Sequence, residues 1–184
     1  MYLIFDTETT GLPKNYNAPF TDTDNWPRVV QIAWQLHDFS GKLLENKDFL
    51  IKPDRFNIPF DAEKVHGIST ELASQKGADL REVLTLFNEV LKRAKFVVGH
   101  NVGFDINVLS SEFFRTEIPT NLRELPVLDT CTEKTAALCV IPFVIGISVL
   151  TDHRVEGWCP LIASLIISLW LFSTVGDGDR LALI

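Results

Sequence analysis

The sequence predicts an α/β domain built on a mixed sheet, and three observations carry that expectation. Short apolar runs at residues 2–5, 96–98 and 127–128 each stop at an acid or a glycine, as buried strands do. Two longer strand-like segments, residues 29–39 and 42–51, are joined by Ser40-Gly41 and read as an antiparallel hairpin. Residues 79–95 place Leu80, Val83, Leu84, Phe87, Val90, Leu91 and Ala94 at three- and four-residue steps, the mark of a helix that packs one face on a sheet.

The other elements follow in chain order. The first strand, residues 2–5, ends at Asp6 and Thr7, and the stretch from Gly11 to Pro27 is rich in Asn, Asp, Thr and Pro. A loop of that length is usually kept for function. Pro53 and Pro59 end the hairpin, and a short helix is expected at residues 61–65, before His66-Gly67-Ile68. A second long helix is expected over residues 103–115, between the short strands at 96–98 and 127–128. The chain has no internal repeat and no low-complexity tract.

A chain of 184 residues has room for one domain with a full core. Its net charge of −7 excludes a broad basic coat for nucleic acid, because phosphates are neutralised by clustered Lys and Arg. It leaves room for an enzyme that meets phosphate through bound cations. Cys131, Cys139 and Cys159 form no close pair, so neither a disulfide framework nor a zinc knuckle is expected, and a reducing cytoplasm is the expected home. The first residues read as a strand rather than a secretory signal.

Asp6 and Glu8 stand two apart at the end of a strand, where the two-residue period points both carboxylates to one face. Two acids on one face call for a cation; the bland alternative is that they cap the following loop. Asp105 follows a strand end and a glycine-containing turn, near the start of a helix. Taken alone it reads as a surface acid that compensates a helix dipole.

Taken together these residues carry a resemblance. Phe5-Asp6-Thr7-Glu8-Thr9-Thr10-Gly11-Leu12 resembles the first exonuclease motif of the DnaQ-like (DEDD) 3′–5′ exonuclease superfamily, and Gly99-His100-Asn101-Val102-Gly103-Phe104-Asp105 resembles the second. Val30-Gln31-Ile32-Ala33, His66-Gly67-Ile68 and Val127-Leu128-Asp129-Thr130 also resemble segments of relatives of the polymerase III proofreading subunit. The resemblance covers residues 1–134.

It implies a ribonuclease-H-like fold, a five-stranded mixed sheet flanked by helices. It also implies a metal-dependent 3′–5′ exonuclease of the DNA proofreading or repair type, using two Mg²⁺ or Mn²⁺ ions about 3.5–4 Å apart. Asp6, Glu8 and Asp105 would be both the catalytic residues and the metal ligands, with Asp6 shared between the ions. Thr9 and Leu12 match positions that support the terminal nucleotide, and Asn101 and Phe104 of the second motif join them as implied substrate contacts. His100 is read as a support for the strand end and turn, and His66 as a hydrogen-bonded loop residue. The implied partners are a nucleic acid with a 3′ end, single-stranded DNA before RNA, and a DNA polymerase; no membrane is expected.

The family pattern also requires a third motif, a histidine with an aspartate five residues later. His153 is followed at that spacing by Trp158, and no histidine precedes Asp177 or Asp179 correctly. Composition changes in the same region: residues 135–151 and 157–176 carry no Asp, Glu, Lys or Arg. The expected organisation is therefore an exonuclease core at 1–134 and an atypical apolar tail at 135–184. Three accounts of the tail stand open: a shifted reading frame, a membrane-associated segment, or a divergent core helix. The last would make the chain a catalytically impaired nucleic-acid-binding or scaffold module of the same fold.

Overall fold

In the computed structural model, which describes residues 1–131, strand β1 (Tyr2–Thr9) lies at the centre of a five-stranded sheet. The hairpin of β2 (Val29–His37) and β3 (Leu43–Leu50) adds antiparallel to one side of it. On the other side β4 (Phe96–Gly99) and β5 (Val127–Asp129) add in parallel, giving the order β3-β2-β1-β4-β5. The expected mixed five-stranded sheet is thus borne out, and Met1–Asp129 form one compact unit.

The first strand is longer than its apolar run suggested. It continues through the acids to Thr9 because β2 pairs with it all along, Asp6 opposite Ala33 and Glu8 opposite Gln31, with an irregularity between Glu8 and Thr9. Hydrogen bonding to a neighbour, which no single strand's composition reveals, sets the strand's end. The parallel ladder to β4 covers only Tyr2 to Ile4, so the acids lie on the part of β1 that has outrun β4.

Three helices come between the hairpin and β4. The short helix α1 (Phe60–His66) stops at Gly67, whose φ of 76° is the left-handed turn that glycine makes without strain. The second, α2 (Thr70–Lys76), was not anticipated, although Ser69 is a legible cap whose hydroxyl accepts from the Leu72 N–H. The third, α3 (Leu80–Leu91), starts on Asp79, which accepts from the N–H groups of Arg81 and Glu82, and it ends three residues before the apolar pattern does. Its Phe87 meets both Phe5 and Trp34 edge-on at 5.3 Å, the aromatic centre of the main core.

Helix α4 (Gly103–Arg115) follows β4 through a tight turn at Gly99. A Cβ at Gly99 would lie 2.6 Å from a Val102 methyl, so only glycine lets the helix begin so close to the strand. Val108, Leu109 and Phe113 of α4 join Leu3, Phe5 and Trp34 in the main core, so the helix is held against the sheet along much of its length. Among the described residues no helix is long and apolar enough to cross a membrane. The expected boundary at 134/135, the apolar tail and the search for a third motif lie outside the described residues.

Candidate active site

Strand alternation puts Asp6 and Glu8 on one side of β1, both partly covered, and Thr7 on the other, buried. Asp105 enters from the first turn of α4 and is only 4% exposed, which removes the reading of a surface acid. Its Oδ1 accepts from the Thr7 hydroxyl at 2.6 Å and from the Thr7 N–H at 3.1 Å. The first and second motifs, 98 residues apart, are therefore joined through the residue between the two strand acids.

Burial raises the proton affinity of all three acids. Asp6 is held above the usual carboxylate range by desolvation, partly offset by the Thr7 backbone bond and by His100. Glu8 is pushed up to about 7 by burial and by the neighbouring charge of Asp6. Asp105 is pushed up to about 8, by burial first and then by Asp6, against the Thr7 bonds that favour its charged form. Asp6 is thus the common neighbour of the other two. Among the described residues none of the three makes a salt bridge with Lys or Arg.

A buried acidic group of this kind, with no Lys or Arg paired to it among the described residues, presents the hard oxygen donors that suit Mg²⁺ or Mn²⁺. Among the described residues no three His, Cys, Asp or Glu side chains converge as a preformed ion cage. Asp6 is instead the charged group that acts on both Glu8 and Asp105, and Asp105 commits Oδ1 to Thr7. The donor chemistry fits a divalent cation.

The other anticipated residues gather at the same end of the sheet in different states. Leu12 is 73% exposed just beyond β1. Thr9 is buried and spends its hydroxyl on the turn, donating to the Gly11 carbonyl at 2.7 Å. Asn101 is exposed at φ 54° and donates its N–H to Asp129 Oδ1 at 2.9 Å, so its backbone shapes the turn before α4. Phe104 is half-buried against the main core. His66 closes α1, its Nδ1 accepting from the Ile68 N–H at 3.1 Å, and burial holds its pKa below the ordinary value.

Sequence reasoning missed Thr7, whose hydroxyl was hidden between two more conspicuous acids. It also missed Glu112, an acid amid the apolar positions of α4. Replacing Thr7 by Val removes one donor from the buried Asp105. The expected loss is about 1–3 kcal/mol of stability at pH 9, where Asp105 is ionised, and much less at pH 6. Urea unfolding at the two pH values checks it, and Thr7→Ser should behave as wild type.

Residues 3–138 match the RNase_T exonuclease family. The chain belongs to this exonuclease family. Within it, the DNA polymerase III epsilon subunit of Rickettsia prowazekii (strain Madrid E) is 36% identical over 123 residues, covering 63% of this chain and 47% of that protein. A PolC-type DNA polymerase III of Mycoplasmopsis pulmonis (strain UAB CTIP) is 30% identical over 129 residues, 70% of this chain but 8% of the polymerase. The exonuclease chain thus spans about half the length of its epsilon relative and a small part of the PolC relative. Among solved structures, the zinc-bound form of the E. coli exonuclease I complex with single-stranded DNA superposes with a TM-score of 0.61 at 23% identity, over 77% of this chain and 30% of that one. That likeness establishes the ribonuclease-H-like fold.

Proposed function

We propose that this chain is a 3′–5′ exonuclease that hydrolyses phosphodiester bonds at the 3′ ends of DNA, with Mg²⁺ or Mn²⁺ ions held by Asp6, Glu8 and Asp105. The observation that carries the reading is the bond that ties Asp105 of α4 to Thr7, the residue between Asp6 and Glu8 at the end of the central strand, with burial raising the pKa of all three acids and, among the described residues, no Lys or Arg paired to them. A pair of bound divalent ions supplies an acidified attacking water and stabilises charge on the departing 3′ oxygen. Asp6, whose charge acts on both other acids, would be the ligand shared between the ions. Thr7 holds the Asp105 carboxylate against the strand, and burial keeps bulk water from weakening the acids' hold on a cation.

The exposed Leu12 offers an apolar shelf to the terminal sugar and base, a contact indifferent to sequence. Single-stranded DNA is the proposed substrate because relatives in the family are DNA polymerase subunits and the structural neighbour was solved with single-stranded DNA. A polymerase is the proposed partner on the first of those grounds, and the cytoplasm the proposed compartment.

A second reading rests on the sequence after Asp129, which holds no histidine followed five residues later by aspartate. Loss of a general base slows proton abstraction on the order of 10²–10⁴-fold, which would leave a module that binds 3′ ends and cleaves them poorly. One experiment separates the two. A 5′-labelled single-stranded oligonucleotide with Mn²⁺ should be shortened one nucleotide at a time, with mononucleotide released. Binding without release selects the second reading, and neither binding nor release overturns both.

A further inference from the structure

The loop between β1 and β2, residues 10–28, follows directly on the strand acids and carries Leu12. It is closed at its neck, where the Thr10 N–H donates to the Arg28 carbonyl at 2.9 Å and the Arg28 N–H donates to Thr10 Oγ1 at 3.0 Å. Inside the loop Asn25 is buried and grips Asn15 twice, accepting from its N–H at 2.7 Å and donating to its carbonyl at 3.0 Å. Trp26, also buried, donates its ring N–H to the Pro19 carbonyl. The loop is thus an ordered body with one neck.

One carboxylate of α4 bonds the Arg28 side of that neck. Glu112 of α4 is fully buried, and its Oε1 accepts from Arg28 Nε at 2.8 Å and from the Val29 N–H at 3.1 Å. Arg115, one turn further along, faces the same oxygen at 3.3 Å and donates to the carbonyls of Thr23 and Trp26. Glu112 Oε2 is buried with no hydrogen-bond partner among the described residues, and the contacts to Arg28, Val29 and Arg115 all run through Oε1. Charge-assisted bonds of this kind, shielded from water, are the strong ones.

Glu112 lies seven residues after Asp105 on the same helix. Seven residues are nearly two full turns, about 10 Å along the axis and on the same face. One rigid helix therefore holds the carboxylate that bonds Thr7 at one point and the neck of the Leu12 loop at the other. We propose that Glu112 is a positioning residue: through Arg28 and Val29 it fixes the Thr10–Arg28 neck, and so sets where the Leu12 segment stands relative to Asp6, Glu8 and Asp105 when a 3′ end binds. The binding half of this rests on the exonuclease reading above; the tether itself does not.

The test is Glu112→Gln, which keeps the volume and an acceptor but removes the charge. Hydrogen exchange of the Thr10 amide should quicken about tenfold or more, as loosening a tether by roughly 1.4 kcal/mol requires, while amides paired between β1 and β4 stay protected. The Kd for a single-stranded oligonucleotide in Ca²⁺, which reports the 3′ end without cleavage, should rise about tenfold, whereas the Kd for Mn²⁺ alone stays within about twofold. A merely structural role would weaken both together. Arg28→Lys, at a partly exposed position that leaves the Val29 and Arg115 contacts in place, gives the same pattern more weakly and serves if the Gln variant does not fold. Unchanged Thr10 exchange in both variants overturns the tether. Faster exchange with unchanged oligonucleotide affinity overturns the positioning role. A wild-type chain that binds no oligonucleotide overturns the exonuclease reading and the positioning role with it, while the exchange result still decides the tether.

Discussion

Asp6→Asn is expected to abolish divalent-cation binding and yet make the cation-free protein more stable at pH 8. Asp6 is the charged neighbour that raises the proton affinity of both Glu8 and Asp105. Removing its charge lets those two acids ionise at less cost, a gain of about 2 kcal/mol if each pKa falls by part of a unit to a unit. In the proposed function the same charge is what a shared ion would pair with. Its loss removes several kcal/mol of stabilisation from developing charge, which at 1.36 kcal/mol per decade is about 10³-fold or more in any hydrolysis the chain performs. Titration calorimetry with Mn²⁺ and urea unfolding in EDTA read the two effects separately. A variant that is less stable than wild type in EDTA at pH 8, or still takes up Mn²⁺ normally, would show that Asp6 is not the hub of the acidic group.

The pH dependence of stability should be equally marked, and its sign follows from raised rather than depressed carboxylates. Glu8 ionises near 4.5 when unfolded and at about 7 when folded, and Asp105 near 3.8 and at about 8. Between those values the folded chain binds more protons than the unfolded one, so stability falls as pH rises. The contribution is fully present below the unfolded values and lost by about pH 8. For Glu8 alone the loss is on the order of 3 kcal/mol. Added Mn²⁺ should reverse the trend above pH 7, because it binds the ionised acids and only the folded chain gathers them. Urea unfolding at pH 5, 6.5 and 8, in EDTA and in Mn²⁺, measures both. A flat profile in EDTA would mean that the acids are better solvated than their burial implies.

The two predictions share one origin. Acids buried together without Lys or Arg are frustrated in the folded state, and a cation of the proposed kind would relieve that frustration. Thr7 and Glu112 tie the same helix to the strand and to the loop neck. Disturbing either should change how the acids and the loop are held without removing any acid from the group.

The sequence by itself determined the mixed α/β class, the β2–β3 hairpin, the amphipathic face of α3 and the two acidic motifs. Those features repeat at the period of the backbone, two residues in a strand and 3.6 in a helix, and each can be seen within a window of a few residues. Tertiary structure alone decided that β1 runs on to Thr9, because a strand's end is set by its partner's hydrogen bonds. It alone decided that Asp105 is buried on Thr7 rather than exposed at a helix start, and that Glu112 faces inward to Arg28 and Val29. These are pairings between residues 83 to 98 positions apart, and no local spacing specifies which hydroxyl or guanidinium a distant carboxylate will meet. α2 lies between the two cases: Ser69 announced its start, but seven residues are too few to show a helical period.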